Sequence, residues 1–186
     1  MSIKLFLNIE GVIKDRLYTS LSKLTKKHSG RIISLDQFTN EYRVQFTFYK
    51  VSSNIINEVR DIIKNIIELS EYCYVTPYII LLARSIDHLR EIGRCIRGLS
   101  KPVIKVKDET RMALKIEPSI YLIALINEQK GIIKIQPISL NRELLPNDLL
   151  SHSILKIRFK CEEFINNTLI NSLNLSSYDI GECIRD

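Results

Sequence analysis

The sequence predicts an α+β fold. Three observations carry this: strict two-residue alternation at the start of the chain, repeated segments of three-and-four-residue apolar spacing, and short β-rich runs in both halves. With 186 residues, 45% of them hydrophobic and 26% charged, the chain is long enough for one compact domain or two small ones, and disorder or a fibrous repeat is excluded. Isoleucine alone fills 31 positions, a β-branched bias suited to strands and tight packing.

Ile3, Leu5, Leu7 and Ile9 alternate with Lys4, Phe6 and Asn8, which reads as a half-buried strand. From Val12 the apolar spacing becomes helical through Leu24, and Gly30 after a basic last turn marks a stop, so a helix is expected over about 12–28. The runs 31–35 and 42–50 read as a hairpin around the polar loop 36–40. Ser52 and Ser53 are N-cap candidates for a helix carrying Ile55, Ile56, Val59, Ile62, Ile63, Ile66 and Ile67. A short strand at 72–75 would complete β-α-β-β-α-β, a ferredoxin-like unit over residues 1–76. Thr76-Pro77 then resembles an N-cap with proline at the first helical position, opening a long helix to about Leu99; a strand at 78–83 is the competing assignment.

Beyond Pro102, four strand-like runs follow at 103–107, 112–117, 120–126 and 131–136, the last two flanking a hairpin loop at 127–130. A helix at 142–151, a strand at 154–160 and a helix at 161–173 close the pattern, and the last dozen residues are expected to fray. The expectation is therefore a ferredoxin-like N-terminal unit, 1–76, followed by a mixed α/β unit, 77–186, built on a long basic helix, an antiparallel or mixed sheet and two further helices.

The four cysteines, Cys73, Cys95, Cys161 and Cys183, show no C-x-x-C spacing and read as reduced, buried apolar residues. No secretory leader or membrane-spanning apolar run is visible, which leads to the expectation of a cytoplasmic chain with no membrane partner. Phosphate-binding loops, nucleophile elbows, zinc-protease and EF-hand motifs are absent, so neither catalysis nor a metal or cofactor is expected. His28, His88 and His152 are isolated from one another.

The informative feature is the location of the positive charge. The formal net charge is +6, and residues 84–115 hold nine basic side chains against four acidic ones. On a helix Arg90, Arg94, Arg97 and Lys101 form one stripe opposite Leu89, Ile92, Ile96 and Leu99, with Lys105, Lys107 and Arg111 following. Arginines at helical spacing meet successive phosphates, which points to RNA or DNA. A second candidate is the polar face of the N-terminal strands, where Phe6, Arg43 and Tyr49 would join Lys4, Asn8 and Gln45 as a base-stacking platform, although the RNP1 pattern of RRM domains is missing. The bland alternative is that the second half of the chain packs over this face. The expected function is non-catalytic RNA binding. Competing readings are an assembly subunit that binds a protein partner or a second copy, and an RNA-processing enzyme with a histidine beside the arginine stripe.

Overall fold

A computed structural model describes residues 1–11, 15–36, 41–48, 51–139, 150, 157–166 and 168–185. Among the described residues nine strands form one sheet: β1 (Ser2–Gly11), β2 (Gly30–Asp36), β3 (Glu41–Phe48), β4 (Cys73–Leu82), β5 (Val103–Val106), β6 (Glu109–Glu117), β7 (Ile120–Asn127), β8 (Ile132–Ser139) and β9 (Phe159–Lys160). Its order is β2-β3-β1-β4-β8-β7-β6-β5, with β9 also pairing β4, and every pairing is antiparallel.

This corrects the expected fold class. A ferredoxin-like unit followed by a separate mixed α/β unit is not what forms, because β4 does not stop at residue 75. It runs on to Leu82, pairs β1 along one edge, and on the other edge pairs β9 at Tyr74 and Val75 and β8 from Ile79 to Leu82. Pro77, which suggested a helix start, falls between those two ladders, where a missing N–H breaks no pairing on that edge. The strand that was to close the first unit is thus the seam to which the later strands attach.

The helices whose bounds lie among the described residues are α1 (Asp15–Lys27), α2 (Ser53–Leu69), α3 (Ile86–Leu99), α4 (Cys161–Asn166) and α5 (Ile180–Cys183). α3 starts nine residues later than Thr76-Pro77 predicts; its N-cap is Ser85, whose side chain accepts a hydrogen bond from the His88 backbone N–H. The expected helix at 142–151 lies outside the described residues except for Leu150, as do residues 154–156 of the following strand. The C-terminus does not fray. Two 3₁₀ turns, Asn171–Leu173 and Leu175–Ser177, lead into α5, and Leu173, Leu175 and Ile180 are buried.

Alternation assigns the two sheet faces. Ile3, Leu5, Leu7, Val44, Phe46, Val75, Ile79, Met112, Leu122, Ile133 and Ile135 share the main core with Leu21, Leu24, Ile55, Ile63, Leu89, Ile96 and Phe164 from the helices. α1, α2, α3 and α4 therefore bury one face. On the opposite face, Ala113, Ile123, Ile138 and Leu150 make a second small core beneath the β6-β7-β8 part. Around β1, β3 and β4 that face is only half-buried.

Candidate functional site

The half-buried part of the sheet gathers residues by register. Phe6 lies between Gln45 and Tyr78, Asn8 between Arg43 and Thr76, and Lys4 between Thr47 and Ile80. Phe6 and Tyr78 stack with centroids 4.8 Å and planes 3° apart. Lys134 reaches over the Tyr78 ring, its Nζ 4.4 Å from the centroid. Arg43 Nε donates to Asn8 Oδ1 at 3.1 Å. Burial pushes the Tyr78 hydroxyl above its ordinary pKa, with the Arg43 charge acting the other way, so the phenol stays neutral at physiological pH.

The surface continues to both sides. Arg31 on β2 pairs with Gln45 and is exposed. On β9, Lys160 stands opposite Tyr74, while the Arg158 guanidinium sits 4.0 Å over the Tyr74 ring and its Nη1 is 2.8 Å from Glu10 Oε2. Lys4, Arg31, Arg43, Lys134, Arg158 and Lys160 thus share the face, with Glu10 and Glu41 among the acidic positions between them.

Of the residues singled out from the sequence, Phe6 and Arg43 lie on this face and Tyr49 lies outside the described residues. Gln45 is nearly buried and donates to Thr47 Oγ1. Among the described residues, β8, β7, β6 and β5 extend the sheet sideways from β4 rather than lying over Phe6. Tyr74, Tyr78, Lys134 and Arg158 were missed. The signal for the two tyrosines was the alternation of Tyr74, Thr76, Tyr78 and Ile80 against Val75, Pro77, Ile79 and Leu81, hidden behind the helix-start reading of Thr76-Pro77; Lys134 and Arg158 reach the face through strand pairings that are long-range in sequence.

The arginine stripe is real as a surface but sits elsewhere. Leu89, Ile92, Gly93 and Ile96 bury one side of α3 against the helix-covered face, and Arg90, Arg94 and Arg97 are exposed on the other; Lys101, expected to continue the stripe, is exposed but lies beyond the helix, which ends at Leu99 with Ser100 as its cap. Leu99, expected on the buried side, is 43% exposed. Arg90 is engaged by Asp87 and Glu128, each at 3.5 Å. Lys105 and Lys107 are exposed on β5 and the turn after it. Arg111 is a correction: it is 5% exposed, its Nη1 donates to the Leu150 carbonyl at 2.9 Å and its Nε lies 3.4 Å from Glu109, so it is committed inside the protein and not offered to phosphate. The stripe and the open face are on opposite sides of the sheet and do not form one basic surface.

The cysteines also differ from expectation. Cys73 and Cys161 form a disulfide with Cα atoms 5.4 Å apart, and Cys95 and Cys183 form another at 5.5 Å; Cys95 is exposed. His28 Nε2 lies 2.8 Å from Glu58, and His88 Nδ1 accepts from the Arg84 backbone N–H at 3.3 Å, both structural roles at helix ends; His152 is outside the described residues. Among the described residues no helix is long and apolar enough to cross a membrane. No known protein-family model and no curated protein sequence matches this chain.

Proposed function

We propose that the protein binds single-stranded nucleic acid, RNA in the first place, without catalysis, on the open face of β1, β3 and β4. The observation that supports this is the Phe6–Tyr78 stack set among the cations of that face. Bases add to aromatic surfaces with little sequence preference, and lysines and arginines around them meet the phosphates. Asn8, Thr47 and Thr76 beside the rings are groups of the kind that hydrogen-bond a 2′-hydroxyl. A cytoplasmic location goes with this reading, since single-stranded RNA is plentiful there. The α3 arginines Arg94 and Arg97, with Lys101 just beyond the helix end, are a second phosphate-meeting surface behind the sheet.

The test is a salt titration with a labelled oligouridine, an oligodeoxythymidine and an RNA duplex. Phe6→Ala and Tyr78→Ala should each weaken single-strand binding about tenfold, within the range set by one lost stack, and Arg94→Glu/Arg97→Glu should weaken it less. Absence of salt-sensitive binding, or a loss confined to the α3 variants, would refute the assignment to this face.

A protein partner or second copy is the competing reading. The observation favouring it is that β2 and β5 end the sheet, with Ile33 and Val103 exposed there at 39% and 38%. Light scattering of the isolated chain separates it: a stable dimer abolished by Val103→Lys supports edge pairing.

A further inference from the structure

We infer that the Cys73–Cys161 disulfide is a redox control on the open face, holding Arg158 and Lys160 in place when oxidised and releasing them when reduced. This rests on the nucleic-acid reading of that face.

β9 is only two residues long, and its ladder to β4 consists of the pairs Tyr74↔Lys160 and Val75↔Phe159. So short a ladder has little cooperative strength of its own. One step further in the same antiparallel register Cys161 comes opposite Cys73, so the disulfide is a covalent continuation of that ladder. The strand it fixes alternates: Phe159 points into the main core, while Arg158 and Lys160 point to the open face. Arg158 covers the Tyr74 ring and neutralises Glu10. Loss of β9 from the edge therefore removes two cations, uncovers one carboxylate and bares one aromatic ring, a large electrostatic change at one end of the face.

The chemistry balances with a dithiol reductant. Two electrons and two protons pass to the S–S bond, which breaks to the Cys73 and Cys161 thiols, and the reductant closes its own disulfide. Both sulfurs belong to buried residues, 6% and 0% exposed, so attack follows local opening of the β9 edge. The Cys95–Cys183 bond, with Cys95 exposed, meets reductant more readily, so reduction alone does not isolate the effect.

The experiment uses the full chain in three forms: oxidised wild type, the Cys73→Ser/Cys161→Ser variant that keeps Cys95–Cys183, and Arg158→Ala/Lys160→Ala with both disulfides intact. Limited trypsin digestion reads β9 release without any ligand: cleavage after Arg158 and Lys160 should be at least tenfold faster in the serine variant than in oxidised wild type. Oligouridine binding reads the consequence. The slope of log affinity against log salt should be shallower by about 1.4 in the serine variant, the loss of two phosphate contacts at about 0.7 each. The alanine variant should show the same shallower slope while remaining disulfide-bonded. Equal trypsin rates would overturn the redox control whether or not the protein binds RNA. Faster cleavage with an unchanged slope would overturn its link to the face. If oxidised wild type binds no oligonucleotide, the nucleic-acid reading fails and with it the control of binding, while the digestion still reports what the disulfide holds. Should the serine variant not fold, the Cys95→Ser/Cys183→Ser variant, in which Cys73–Cys161 is the bond left to reduce, digested before and after dithiothreitol, and the alanine variant's slope, decide the same two points.

Discussion

Phe6 and Tyr78 stack face to face across the β1–β4 pair, 4.8 Å between centroids, on the sheet face opposite the one that α1, α2, α3 and α4 bury. A cross-strand aromatic pair contributes about 0.5–1 kcal/mol to the sheet. The pair is therefore both a fastening between β1 and β4 and an aromatic surface on the open face. Tyr78→Leu should lower stability by about 1 kcal/mol in a urea titration, and Tyr78→Phe should leave it within about 0.5 kcal/mol because the stack is kept. If Tyr78→Leu also leaves stability unchanged, the rings are neighbours without energetic contact.

The start of α3 gives a direct check on the corrected topology. Ser85 accepts from the His88 N–H at 3.1 Å, while Thr76 is a strand residue opposite Asn8. Ser85→Ala should destabilise by about 1 kcal/mol, the usual cost of losing a cap. Thr76→Ala removes no cap and should cost under about 0.5 kcal/mol, as a surface change does. The reverse order of effects would restore a helix beginning at residue 77.

Much of the element order was legible because burial writes its period into the sequence. Ile3, Leu5, Leu7 and Ile9 are all buried, as the alternation requires, and α2 buries six of the residues spaced for a helical face. What failed was local chemistry that fits two structures. Thr76-Pro77 suits a helix start, yet proline is also tolerated on a strand where the neighbouring edge is unpaired, and nothing within a few residues distinguishes the two. That one ambiguity hid the alternation that places Tyr74 and Tyr78, two of the site's three described rings, on one face, and made a single sheet look like two units. Arg111 misled for a different reason. Charge patterning treats every arginine as a surface residue, whereas this one satisfies the Leu150 carbonyl and Glu109 from inside. Disulfide pairing was invisible because it depends on the β4–β9 register and on the docking of α5 on α3, both long-range in sequence.

Glu58 joins α2 to the end of α1 through Lys27 Nζ at 2.6 Å and His28 Nε2 at 2.8 Å. The Lys27 hydrogen bond, then that of His28, hold its carboxyl below the usual glutamate range. A carboxylate depressed on folding contributes stability above its unfolded pKa, near 4.5, and that contribution is lost as pH falls through the lower folded value. Glu58→Gln should therefore cost a few tenths of a kcal/mol near neutral pH, given solvent screening at the surface. The difference between variant and wild type should vanish once pH is well below 4.5. A gap that widens on acidification would contradict the sign.

The two disulfides overlap in sequence, each joining residues 88 apart, so their contributions are coupled. With Cys73–Cys161 closed, the chain between Cys95 and Cys183 has a shortcut. Loop-entropy reasoning then assigns the second bond an effective loop of about 44 residues and up to about 4 kcal/mol, against roughly 4.6 kcal/mol for the same bond alone. Cys95→Ser/Cys183→Ser should lower the unfolding free energy by about 2–4 kcal/mol under non-reducing conditions, with native strain and residual denatured structure accounting for any shortfall. The loss should appear as a lower urea midpoint together with a larger m-value, because the unfolded chain is freed to expand. Removing all four cysteines should cost more than this, a large part of the 5–15 kcal/mol a domain of this size has in total. Since α5 docks through buried Ile180 and Gly181 as well as through Cys183, the single-bond variant should keep its C-terminal helix and its trypsin resistance at Arg158 and Lys160. Premature cleavage there in the Cys95→Ser/Cys183→Ser variant would show that the two bonds hold β9 jointly.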